Sequence, residues 1–415
     1  MDADTADLAI IGAGAAGLAT GIFCARQAPQ LRIVCLDGAR RIGAKILVSG
    51  GSRCNVTNRS VTERDFWGGS SRSVKHVLRA FPAERAAAFF AEIGVPLHEE
   101  EDGKLFPDSN SARSVLDALV HELTRMGVEL HGGRRVTDVR KDGEGFLVQT
   151  DSGQLRARAV VLATGGRSLP KTGSDGFGYE LAKRLGHGYV ATTPALAPMV
   201  LAEPQYRRLA GVSHRAALIL RTDGGVRTRL EGALLWTHFG VSGPVVLNLS
   251  RHWHRANLAA QQPQVFLSVC PEGTFESLET WLLEQETLRP RAFVNTVLST
   301  RLPGAVADAW ADAAGVEGVT MAHLSRDDRR RLVRALTESP LEIRDSRGYN
   351  FAEATAGGVP LDEIDGARMA SRVCPGLYLV GEVLDVDGRL GGFNFQWAWS
   401  SGFVAGQAIA RSLAP

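Results

Sequence analysis

The chain has 415 residues, 44% hydrophobic and 22% charged, with a formal net charge of +2. Those figures suit an ordinary globular protein of two or three cored domains and exclude a low-complexity or strongly polyanion-seeking chain. Five cysteines, at 24, 35, 54, 270 and 374, form no CxxC pair, which excludes a disulfide scaffold and leaves no metal site to expect. The start, Met1-Asp2-Ala3-Asp4, lacks the basic region of a secretory signal, and no apolar run approaches the roughly 18–20 residues of a membrane span. A cytoplasmic protein without a membrane partner is expected.

In chain order, Asp7 to Ile11 reads as a buried strand running into Gly12-Ala13-Gly14-Ala15-Ala16-Gly17, followed by helical spacing at Leu18, Ala19, Ile22 and Phe23. Leu31 to Leu36 reads as a second strand closed by Asp37. This is the opening βαβ unit of a doubly wound α/β sheet. Segments 74–93 and 111–126 have helical spacing. Strands are expected over 127–139 and 145–149, with Asp142-Gly143 as a hairpin signal, and at Ala159 to Ala163 before Thr164-Gly165-Gly166. From about 195 to 270 the pattern is strand-like, and from about 275 to 340 mostly helical. Another strand is expected over Gly376 to Val380, and a last helix from Gln396 to Ile409. The division expected is a discontinuous nucleotide-binding domain over 1–191 and 345–415, a β-rich insert over 192–272 and a helical subdomain over 273–344.

The glycine turn has a mechanical rationale. Gly12 permits the tight exit from the strand, Gly14 lets a pyrophosphate approach, and Gly17 allows close helix–strand packing. The helix start offers N–H groups to phosphate charge, and Asp37 stands where an acid would accept ribose hydroxyls. Alone, this turn does not separate FAD from NAD. The later Gly381-Glu382, Asp387-Gly388 and Gly391-Gly392-Phe393-Asn394 run favours FAD, with the last helix start near the flavin pyrimidine edge and Glu382 at ribityl hydroxyls. A solvated turn with ordinary acids is the plainer alternative.

The run from Lys45 to Asn58, containing Ser49-Gly50-Gly51-Ser52-Arg53-Cys54-Asn55, resembles the signature of the HI0933-like flavoproteins. These are bacterial NAD(P)/FAD-dependent oxidoreductases, some named aminoacetone oxidase or bile-acid reductase. The resemblance continues through Gly103 to Pro107, Ala163 to Gly166, Thr237 to Pro244, Thr355 to Val359 and Gly376 to Asn394. It implies an FAD-binding Rossmann-type domain with an inserted β-barrel-like domain and a small helical subdomain. It also implies cofactor contacts from Gly12, Gly14, Ala16, Gly17, Asp37, Lys45, Gly50, Gly51, Arg53, Cys54, Asn55 and Val136, and from Ala163, Thr164, Gly165, Gly166, Gly381, Glu382, Asp387, Gly392, Phe393 and Asn394. Three positions depart from the pattern: Asp37 replaces the usual Glu, Ala44 stands where Lys is common, and Ser52 stands where a third Gly is common.

In that loop Arg53 can reach phosphate or flavin oxygens, and Asn55 and Asn58 can bond amide edges. Cys54 is either a small buried hydrophobe or a proton-donating thiol at the flavin. His238, in the insert expected to cover the flavin's open face, is either held by backbone or a general acid. No second strand–GxGxxG–helix is legible for NAD(P)H, which would therefore act as a transient donor; Gly173 to Gly178 is the nearest run, without a strand directly before it. Arg326, Arg329, Arg330, Arg331 and Arg334 surround Asp327 and Asp328. That cluster reads first as a solvated helix face and second as a nucleic-acid patch. The leading expectation is an FAD enzyme passing hydride through flavin N5, most simply an NAD(P)H-dependent reduction of a polarised double bond in a small molecule. The alternatives are a flavin amine oxidase of the aminoacetone type, producing hydrogen peroxide, and an RNA-associated flavoenzyme reducing uridine in structured ribosomal RNA.

Overall fold

A computed structural model describes residues 4–202 and 204–414. The chain divides into two compact units, Met1–Thr193 with Ala352–Pro415, and Pro194–Phe351. In the first unit, the strand Asp4–Ile11 pairs in parallel with Ile33–Asp37 on one side and Gly153–Leu162 on the other. Glu129–Gly132 extends the sheet beyond Ile33–Asp37, and Leu377–Leu379 extends it beyond Gly153–Leu162, both in parallel. Leu8, Ala9, Ile10, Val160, Val161 and Leu162 are almost wholly buried, as expected for central strands covered on both faces. The unit is a Rossmann-type α/β layer.

The helix Ala15–Gln27 follows the first strand, and the long helix Phe393–Leu413 packs against it. Close contact is possible because Gly402 and Gly406 carry no side chain. A Cβ on Gly402 would lie 2.8 Å from the Ala16 carbonyl oxygen, and one on Gly406 2.8 Å from that of Thr20.

Three local expectations are corrected. Segment 74–93 is two helices, Ser71–Ala80 and Ala83–Glu92, because Pro82 disfavours helical geometry at Phe81, which sits at φ −143°, ψ 79°. Residues 127–139 hold two strands, Glu129–Gly132 and the start of Val136–Asp142, separated by the left-handed Gly133. The strand-like region 195–270 contains a 15-residue helix, Pro244–Leu258. Pro244 in its first turn and the helical spacing of the buried Val245, Val246, Leu249, Trp253 and Ala256 mark it as a helix within that stretch.

The second unit carries an antiparallel seven-stranded sheet, in which Ser213–Thr222 and Gly225–Thr237 form the central hairpin. Its helices share one apolar cluster with those strands, centred on Trp236 and Trp310. The Trp310 indole donates to the Ala335 carbonyl at 2.9 Å. Among the described residues, no helix is long and apolar enough to cross a membrane, and no His, Cys, Asp or Glu group could hold a metal ion.

Candidate functional site

The carboxyl ends of the parallel strands in the first unit are held level. Gly12 N–H donates to Leu36 O at 2.8 Å, Ala163 N–H to Ile11 O at 2.9 Å, and Val380 N–H to Leu162 O at 3.1 Å. Ligand crevices of open α/β sheets form beyond such strand ends. The three glycines of the first turn answer to different neighbours. Gly12 has φ +105°, and a Cβ there would strike the Ala163 carbonyl at 2.4 Å. A Cβ on Gly17 would lie 1.9 Å from the Gly12 oxygen. Gly14 has an ordinary φ of −82° and nothing within 4 Å of its Cβ position, so no atom of the described residues requires glycine there.

Asp37 is joined to the same turn. Its Oδ2 accepts from Ala13 N–H and its Oδ1 from Ala39 N–H, each at 2.7 Å. Burial raises its carboxyl above the usual range, against the pull of those two amides and of Arg135. The Arg134 N–H donates to the Asp37 carbonyl at 2.8 Å, which sets Val136 at the start of its strand beside this end of the crevice.

At the other end, Lys45 Nζ lies 2.5 Å from Glu382 Oε2 and 2.5 Å from Ser168 Oγ, and Ser168 Oγ donates to Glu382 Oε1 at 2.8 Å. Thr355 Oγ1 accepts from the N–H groups of Arg167 and Ser168. Gly166 leaves room for this group, since a Cβ there would lie 2.5 Å from Thr355 Oγ1 and 2.7 Å from Glu382 Oε1. Gly381 sits against Ala16, and its N–H and C=O bond Ser401 and Trp397 of the closing helix.

The loop at 49–58 is bound to the start of the same helix. Asn55, with its amide oriented to satisfy its neighbours, accepts from Gly392 N–H at 3.1 Å and donates to Thr57 O at 2.8 Å. Asn58 Nδ2 donates to Asp102 O and Gly391 O. Both side chains are thus engaged by the protein's own backbone and fix the glycine run before the helix. Gly392 has φ +91°, and a Cβ there would overlap the Thr57 backbone at 2.5 Å. Asn394 bonds both the N–H and the C=O of Gly388, Phe393 is fully buried with Arg389 over its ring, and Asp387 is buried in the short strand paired with Trp67.

Gly50, Gly51, Ser52 and Cys54 all take left-handed backbone, two of them without being glycine. Ser52 therefore occupies a position whose geometry suits the glycine common there. Gly51, like Gly14, has open space at its Cβ position. Cys54 is fully buried, and burial pushes its thiol up to about 12. Arg53 turns to Glu100 at 2.6 Å and stacks on Phe106. His238 belongs to the second unit, exposed in the turn between Gly225–Thr237 and Gly240–Ser242, edge-on to Phe239. The Arg-rich helix Arg326–Glu338 is also there; Arg331 pairs with Asp328 and Arg329 with Glu286.

Ser168, Thr355, Gln396 and Ser401 were missed by sequence reasoning. Gln396 is wholly buried, accepting from Thr57 and donating to Phe81 O and Ser400. Gln396, Ser400 and Ser401, set among aromatic and small residues early in the closing helix, were the available signal, because buried polar groups need partners.

The residues fit a dinucleotide. Gly14 and Gly51 leave backbone open to approach, and Thr164 Oγ1 is buried without a hydrogen-bond partner. Residues 6–408 match the family model described as the HI0933-like protein Rossmann domain. The chain is 35% identical to a ribosomal RNA dihydrouridine synthase of Escherichia coli (strain K12), covering 97% of this chain and 98% of that one. It is 31% identical to a 3-dehydro-bile acid delta(4,6)-reductase of Clostridium scindens, covering 97% and 99%. Among solved structures, an E. coli quinol fumarate reductase FrdA aligns with TM-score 0.51 at 19% identity, over 100% of this chain and 71% of that one. A 3-ketosteroid delta1-dehydrogenase from Sterolibacterium denitrificans aligns with TM-score 0.51 at 12% identity, over 99% and 100%. At such identities these two structures speak for the fold.

Proposed function

The chain belongs to the HI0933-like family and is an FAD-dependent oxidoreductase, and from that premise we propose that it reduces a polarised carbon–carbon double bond in an organic substrate at the expense of NAD(P)H. One observation carries the reading. Two full-length relatives are named for unlike substrates, a ribosomal RNA and a bile acid, and the chemistry common to their names is saturation of a double bond. When bound, FAD relays a hydride between donor and acceptor.

The chain's own residues bind and orient. The Gly12–Gly17 turn offers amides and open backbone to the pyrophosphate, and Asp37 takes the ribose hydroxyls with its remaining lone pairs. Ala16, Val136 and Ala163-Thr164-Gly165 would line the adenosine half, and Gly166 would carry the turn on toward Glu382. Lys45, Gly50, Gly51, Arg53, Asn55, Gly381, Glu382, Asp387, Gly392, Phe393 and Asn394 would hold the flavin half, and the helix start at Gly392 would favour negative charge placed before it. Reduction also needs a proton at the second carbon. Cys54 has no exposed surface and a thiol held near 12, so it supports the loop. His238, exposed in its turn, is the remaining candidate donor that the sequence offers.

A uridine base in structured RNA is the second reading, favoured by the relatives of that name from E. coli and Haemophilus influenzae. The Arg-rich helix adds little to it, since Arg329 and Arg331 are drawn into ion pairs. The test is anaerobic mixing with NADPH and then NADH while following the oxidised-flavin band. Bleaching that reverses on adding an enone or a uridine-containing RNA is the expected result, and the acceptor that works decides between the two substrates. Bleaching by an amine alone, with peroxide formed in air, would overturn the reading in favour of an oxidase.

A further inference from the structure

We propose that Ser174 is a direct ligand of the dinucleotide, its hydroxyl donating to an acceptor atom of the adenosine diphosphate half. The inference rests on the FAD reading and adds a residue to it. Ser174 is 6% exposed, and its Oγ is buried without a hydrogen-bond partner among the described residues. Its neighbour is well served: Asp175 bonds Arg135 at 2.6 Å and the Phe177 N–H at 3.0 Å. A loop that satisfies one polar residue so fully and leaves the next bare is unusual, because an unpaired buried hydroxyl is costly.

Its position says what the partner is. Gly173 packs on Ala39, its Cβ position 3.7 Å from the Ala39 Cβ, just past Asp37. A Cβ on Gly165 would lie 2.7 Å from Ser174 Oγ. The hydroxyl therefore lies against the Thr164-Gly165 turn, and its loop against the residue just past the Ile33–Asp37 strand, both at carboxyl ends of parallel strands. Thr164 Oγ1, on the same turn and facing Gly178, is likewise buried and unpaired among the described residues. A bare hydroxyl against the turn at a strand's carboxyl end, with its loop packed just past Asp37, matches a phosphate oxygen or ring nitrogen of a bound dinucleotide.

The test compares Ser174→Ala with wild type as apoprotein and as FAD complex. If the hydroxyl serves the ligand, the apoprotein's thermal midpoint stays level or rises. FAD affinity, read by fluorescence quenching, falls about 5–30-fold. ADP, competing for FAD rebinding, loses affinity by a similar factor. Ser174→Cys, of similar size and a weaker donor, should fall between the two and carries the test if the alanine variant does not fold. Unchanged FAD affinity overturns the proposal, and so does an apoprotein midpoint that drops along with it, which marks a purely structural hydroxyl. Wild-type protein that binds no FAD would instead sink the cofactor reading beneath it.

Discussion

Lys45 and Glu382 stand 337 positions apart in the chain and meet at 2.5 Å, with Ser168 hydrogen-bonded to both. The contact ties the segment after the second strand to the turn after the last one, so a single ammonium joins two edges of the crevice. Both side chains are largely withdrawn from solvent, at 27% and 18% exposed. Lys45→Met leaves Glu382 with Ser168 alone, and should lower stability by about 1–2 kcal/mol, between the values for surface and buried pairs. It should also speed FAD loss. Urea titration and flavin release on gel filtration check both, and a wild-type urea midpoint would contradict the role given to the pair.

The first turn offers a sharper contrast. Gly14→Ala places its methyl in open space on ordinary backbone, so apoprotein stability should change by less than about 1 kcal/mol while FAD affinity drops tenfold or more. Gly17→Ala drives a methyl to 1.9 Å from the Gly12 oxygen and should cost several times as much, about 3 kcal/mol or more, before any cofactor is added. Thermal midpoints of the two apoproteins, with FAD titrations, separate these outcomes.

That contrast also shows what the sequence could and could not reveal. The glycine turn and its flanking strands were legible because their signal is local: an apolar run, three spaced glycines and an acid. The joint at Phe81-Pro82 was visible too, but helical periodicity on both sides outweighed it. Lys45 with Glu382, and Thr57 with Gln396, could not be read, since nothing in spacing brings residues so distant together. Asn55 and Asn58 had the right chemistry for a flavin edge, yet it is the neighbouring backbone that they hold.

Cysteine labelling should follow burial. Cys24 and Cys54 are fully buried with thiols near 12, whereas Cys270 is partly exposed with a thiol near 11. Iodoacetamide at pH 8 should modify Cys270 first and leave Cys54 untouched until the protein unfolds. Peptide mass spectrometry reads the order. Early modification of Cys54 would revive a chemical role for its thiol.

Acid sensitivity should centre on Glu122. Its carboxylate is buried and takes hydrogen bonds from Arg125 and Arg26 at 2.6–3.0 Å. The Arg125 bonds lead in holding it below the usual glutamate range, against burial and with help from Arg26. A carboxyl lowered in the fold stabilises fully above its unfolded value and loses that contribution as pH falls through the folded one. Glu122→Gln should cost about 1–2 kcal/mol at pH 7, because both arginines reach solvent, and the deficit should shrink below pH 4. Thermal midpoints from pH 3 to 7 test the slope.

The closing helix, Phe393–Leu413, lies against the opening one through Gly402 and Gly406, and grips Gly381, Thr57 and Val56 through Ser401, Gln396 and Trp399. It is translated after the whole of the second unit. On the ribosome, the first βαβ segment must therefore wait for a late-made partner, its thin helix face uncovered while Pro194–Phe351 is still being synthesised and folding. A chain stopped before Phe393 would leave Gly381, Thr57 and Val56 without these partners and the opening helix without its cover.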